Sequence, residues 1–128
     1  MKYIFLVSTI LFLTHLNGFA QTQEDHLKRH RTGIYQYADS RFAGYVIKRT
    51  KKRQIEYSKE KKEKLVLKIE WKSDSEYWLT LKKSNVSGCL KVGYVIKTQI
   101  TSATPTSYSS SFIAEGCGAG ETKFIKLK

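Results

Sequence analysis

Histidine, cysteine and proline are scarce in this chain, and each scarcity closes off a class of function. His15 falls within the first twenty residues, and His26 and His30 follow soon after, so residues 31–128 hold no imidazole. The serine run Ser109-Ser110-Ser111 therefore lacks the base that would make it nucleophilic, and no strained Gly-x-Ser-x-Gly turn is present. A hydrolase is accordingly the least supported class, with Asp74, Glu76 and the adjacent Tyr77 its only candidates. Cys89 and Cys117 are the only cysteines, and neither has a nearby His to complete a metal site. His26 and His30 would share a face if helical but lack a third ligand, so neither a metal nor a cofactor is expected. The single proline, Pro105, excludes a proline-rich chain, and no internal repeat occurs. No apolar run reaches the roughly 20 residues that cross a bilayer as a helix. Acidic residues number 11 against 23 basic ones.

What is present begins with an address. Lys2 precedes an apolar run from Tyr3 to Leu13, and Asn17-Gly18-Phe19-Ala20 puts small residues at the two positions a signal peptidase reads. Residues 1–20 are therefore expected to be a signal peptide cleaved after Ala20, which makes the protein periplasmic or secreted. No Cys stands directly after the cleavage point to accept a lipid anchor; a monomer without a transmembrane segment is expected. In an oxidising compartment the even cysteine count predicts a Cys89–Cys117 disulfide. The formal charge of +12 would steer anionic partners such as an envelope component, with no nucleic acid expected in vivo. The same charge also fits a solvated surface, because lysines interleave with Glu in Lys59-Glu60-Lys61-Lys62-Glu63-Lys64.

Alternation with a period of two marks strands. Leu65, Leu67, Ile69 and Trp71 share one face and Lys68, Glu70 and Lys72 the other; Tyr77, Leu79 and Leu81 repeat the pattern across the short Ser73-Asp74-Ser75 turn. A strand beginning at Leu90 and running through Val92, Tyr94, Ile96 and Ile100 is expected to be the longest. Weaker strands fall at Gly33–Ala38, Tyr45–Arg49, Gln54–Tyr57, Tyr108–Glu115 and Thr122–Leu127, and Gly116 to Gly120 reads as a tight turn. Short connections join antiparallel neighbours. The expected fold is all-β, an antiparallel up-and-down meander of about eight strands forming a small lipocalin-like barrel or a strongly curved sheet. Residues 32–128 form its single domain. Residues 21–31 lack an apolar stripe and are expected to be a flexible or briefly helical arm, with His26 and His30 exposed.

The aromatic side chains are the candidates for binding. Tyr35, Tyr37, Trp71, Tyr77, Trp78 and Tyr94 are assigned to a ligand site. Trp78 lies opposite Tyr77, Leu79 and Leu81, so it is expected outside the core, where it could stack on a sugar or cover a second small cluster. The leading functional expectation is a non-enzymatic exported protein that binds a small apolar ligand between its sheet faces or an anionic envelope component on its basic surface. A structural or inhibitory protein-interaction module is the alternative.

Three segments, Thr32 to Tyr37, Arg53 to Glu56 and above all Ile69 to Leu79, resemble a group of small exported bacterial β-proteins of unknown function, often mislabelled "DNA topoisomerase IV". The resemblance covers roughly the first half of the mature chain and implies an exported β-protein without transferring an activity. A strand-passing enzyme needs an ATP site, an acidic metal cluster and a cleavage domain, which a chain of this size cannot house. Members often carry a Cys where this sequence has Ser75, which implies a disulfide relocated to Cys89 and Cys117. Gly33-Ile34-Tyr35 adds a faint similarity to lipocalin-like barrels.

Overall fold

Eight segments of β-type sequence pair in chain order and the last returns to the first. In the computed structural model, which describes residues 22–128, the strands are β1 (Gly33–Tyr37), β2 (Tyr45–Arg49), β3 (Arg53–Ser58), β4 (Glu63–Trp71), β5 (Glu76–Ser84), β6 (Val95–Ala103), β7 (Ser107–Ala114) and β8 (Gly118–Lys126). All neighbours are antiparallel, and β1 pairs with β8 through Tyr35–Lys126, Gln36–Ile125 and Tyr37–Phe124, so the meander is a closed barrel rather than an open curved sheet. The expected signal peptide and its cleavage point lie outside the described residues.

Closure explains Gly33. It begins β1 at φ 137°, and a Cβ there would sit 2.6 Å from the carbonyl oxygen of Lys128. Glycine lets the C-terminal end approach closely enough for the Ile34 amide to donate to that same oxygen at 2.8 Å.

The alternation of β4 and β5 sets the inside of the barrel. Leu67, Ile69, Tyr77, Leu79 and Leu81 are all at most 5% exposed, while Lys68 and Lys82 are on the outside. Leu65 and Trp71 pack more loosely at the margins of the same core.

Three expectations need correction. The strand expected from Leu90 begins only at Val95, because Gly93 at φ 95° forms a turn in which the Tyr94 amide donates to the Lys91 carbonyl. Leu90 still packs on the core, but Val92 and Tyr94 leave the alternating pattern. The expected turn from Gly116 to Gly120 is shorter, since β8 starts at Gly118. Of the expected arm, residues 22–29 take the helical form, but the segment is not free: Leu27 packs on the core, and His30 is fully buried rather than exposed.

Cys89 and Cys117 are bonded, with Cα atoms 5.5 Å apart. The bond fastens the β5–β6 loop to the β7–β8 turn at one end of the barrel. On the chain-entropy model, replacing both cysteines by Ser lowers stability by about 3 to 4 kcal/mol, a loss read by urea unfolding of the double variant beside the oxidised parent.

Candidate functional site

The barrel interior is organised around a buried cation. Arg49 follows Ile47 on the inward face of β2, near the end covered by the N-terminal helix, and is 3% exposed. Its Nε donates to Gln54 Oε1 at 2.8 Å, Nη1 to the His30 carbonyl at 2.9 Å, and Nη2 to the hydroxyls of Tyr108 at 2.6 Å and Tyr77 at 3.4 Å. The rings of Tyr77, Tyr35 and Tyr108 stand 4.8, 4.9 and 5.5 Å from the guanidinium carbon. A planar fork of donors flanked by aromatic faces suits arginine and not lysine. Burial works against the charge, but the three phenols outweigh it and hold the guanidinium protonated. Burial also pushes the Tyr35 hydroxyl up to about 12, and that of Tyr108 well above its ordinary value, with Arg49 pulling both the other way.

His30 closes this end. Its ring nitrogens lie 2.7 Å from the Thr104 carbonyl oxygen and 3.3 Å from the Tyr35 hydroxyl, while its own carbonyl accepts from Arg49. Burial lowers its pKa, helped by Lys126 and Arg49, although the bond to Thr104 works in the opposite direction. Further ties hold the helical segment down: Gln23 donates to the Ala103 carbonyl at 3.3 Å, Lys126 Nζ to the Arg29 carbonyl at 2.5 Å, and Arg31 pairs with Asp74.

A second polar pair lies farther along the axis. Glu56, on the inward face of β3 beside Gln54, accepts a hydrogen bond from Tyr37. Burial raises the Glu56 pKa; bonds from Tyr37 and Gln54 and the field of Arg49 moderate the rise. A carboxyl whose folded pKa is raised costs stability above its unfolded pKa of about 4.3, and that cost disappears as pH falls below it. Glu56→Gln is therefore expected to match or exceed the parent in stability at pH 7, with the difference closing below about pH 4, as read by urea unfolding across pH.

The six sequence candidates do not form one site. Tyr35 and Tyr77 meet around Arg49, and Trp71 packs against Tyr77 with ring centroids 4.8 Å apart. Tyr37 lies apart from them, partly buried toward the opposite end, with Glu56 and, at 5.0 Å, the ring of Phe124. Trp78 is on the outer face: its Nε1 donates to Glu76 at 2.9 Å, and Lys72 and Lys97 each place Nζ 4.5 Å from its ring, so it anchors a small exterior cluster. Tyr94 is 37% exposed at the opposite end from His30. Asp74 and Glu76 have separate partners, Arg31 and Trp78 respectively. Among the described residues no cluster of three or more metal-binding side chains occurs.

Arg49, Gln54, Glu56, Tyr108 and His30 are the interior polar residues that periodicity alone does not single out. The available signal was the pairing of Arg49 with Gln54 across the Thr50–Lys52 turn, two long polar side chains in step with inward Ile47.

No family model, curated protein or solved structure matches the chain. Among the described residues no helix is long and apolar enough to cross a membrane.

Proposed function

We propose that this chain is an exported, non-enzymatic β-barrel that binds an anionic envelope component on its basic outer surface. The observation that carries this reading is the filling of the axis by Arg49, Tyr35, Tyr77 and Tyr108, each at most 3% exposed, which turns recognition outward. An interior filled by a buried cation and its three tyrosines also leaves an apolar ligand little apolar surface to meet. The chain's excess of 23 basic over 11 acidic residues, all but Arg49 and Glu56 of the described ones outside the core, gives the long-range attraction that a polyanion needs. The separate partners of Asp74 and Glu76 weigh against acid–base work, and the disulfide fits an oxidising compartment. Kinship with the small exported β-proteins rests on the residues that resemble them.

Retention on heparin and binding to lipopolysaccharide test the reading. Both are expected to occur at low ionic strength and to weaken steeply between about 0.05 and 0.5 M salt. Absent or salt-insensitive binding would overturn it. An apolar small molecule retained with the purified protein would support the carrier form instead.

A further inference from the structure

The end of the barrel opposite His30 joins exposed apolar tips to a lysine-rich hairpin in a fixed arrangement. Four connections meet there: residues 38–44, 59–62, 85–94 and 115–117. Val92 occupies the tip of the Lys91–Tyr94 turn and is 65% exposed, Tyr94 is 37% exposed, and Phe42, at the opposite rim between β1 and β2, is 43% exposed. These values matter because the loop had an alternative: Leu90 from the same segment packs on the core, while its two apolar neighbours do not.

The loop is held rigidly. Gly93 N donates to the Leu81 carbonyl at 2.8 Å, Leu81 N donates to the Tyr94 carbonyl at 2.9 Å, and the disulfide fastens Cys89 to the β7–β8 turn. Asn85 ties the loop to the lysine hairpin as well. Its Nδ2 donates to the Lys62 carbonyl at 2.9 Å, and its Oδ1 accepts from the Lys64 amide at 2.8 Å. Lys59 and Lys62, with Glu60 between them and Lys61 over the Tyr45 ring, thus belong to the hairpin tied to the connection that carries Val92 and Tyr94, and Lys82 and Lys83 lie near the adjoining end of β5.

We propose that this end docks onto the surface of a bilayer rich in anionic phospholipid, with Val92, Tyr94 and Phe42 entering the interface while the lysines meet the headgroups. The inference deepens the anionic-envelope reading and rests on it. A soluble polyanion would use the charges alone. Projecting apolar side chains beside them instead match the layered chemistry of a membrane surface, where charge lies outside and hydrocarbon beneath. An aromatic side chain with a polar hydroxyl, such as Tyr94, suits the boundary between the two.

The test is co-sedimentation of the full processed chain with phosphatidylcholine vesicles containing about 30% phosphatidylglycerol, compared with phosphatidylcholine alone, with heparin retention measured in parallel. The parent is expected to bind the anionic vesicles only. The double variant Val92→Asp, Tyr94→Ser is expected to lose at least about tenfold in vesicle affinity while keeping its heparin retention. A Val92→Trp variant is expected to show blue-shifted emission and quenching by bromolipid on binding, whereas Trp71 and Trp78 of the parent are not quenched. Vesicle binding that is unchanged in the double variant, or a Val92→Trp signal untouched by bromolipid, would overturn the docking surface. Heparin retention without any vesicle binding would overturn it and leave the broader reading standing; loss of both would remove the two together.

Discussion

Arg49→Met is expected to lower stability by about 3 to 5 kcal/mol, bringing the thermal midpoint down by roughly 15 °C or more. Methionine occupies similar space, so the loss is not mainly one of packing. It comes from the partners left behind: Gln54 Oε1, the His30 carbonyl and the two phenols lose a shared donor inside a barrel that offers little else to bond. The 2.8 Å contact between the Tyr77 and Tyr108 hydroxyls offsets part of this, because each can still serve the other. Arg49→Lys keeps the charge without the fork and is expected to recover only part of the loss, leaving the variant about 2 kcal/mol below the parent. Urea unfolding of the three proteins gives the order parent, Lys, Met. A Met variant as stable as the parent would show that the network around Arg49 adds no net stability, as happens for some buried charges replaced by apolar groups.

Removing residues 22–31 is expected to cost about 3 kcal/mol or more, because Leu27 packs on the core and the buried His30 ring lies against Tyr108 and Tyr35. Burial of Leu27 supplies part of this. The rest follows from His30, whose loss takes an acceptor from Arg49 Nη1 and exposes the Tyr35 hydroxyl. A free arm would come away without effect. The truncated chain should also exchange the ring environments of Tyr35 and Tyr108 for a wetter one, visible as a change in near-ultraviolet circular dichroism. Unaltered unfolding and an unaltered spectrum would mean that the helix does not close the barrel.

These two expectations mark where the fold was legible and where it was not. Strict alternation in Leu65 to Trp71 and Tyr77 to Leu81 gave the strands, their faces and the hairpin, because in a half-buried sheet the apolar set and the inward set coincide. The rule breaks in β3. There the inward residues are Gln54, Glu56 and Ser58, while the half-exposed ones are Ile55 and Tyr57. Hydropathy alone puts that strand the wrong way round; only its register with β2, Arg49 opposite Gln54, settles it. His30 was hidden for a related reason. It is buried by contacts with a distant part of the chain, the Thr104 carbonyl and the Tyr108 ring, which no local pattern announces. The aromatic residues were easy to select and hard to group, since Tyr35 and Tyr77 share a centre that neither Trp78 nor Tyr94 reaches.

Native mass spectrometry of the protein purified from cells that express it bears on all of this in one measurement. A filled, Arg49-centred barrel that works from its outer surface predicts a single species with the mass of the polypeptide alone, lighter by two hydrogens for the Cys89–Cys117 bond and free of any small-molecule adduct. A stoichiometric apolar adduct on that species, released when the chain is unfolded, would contradict it.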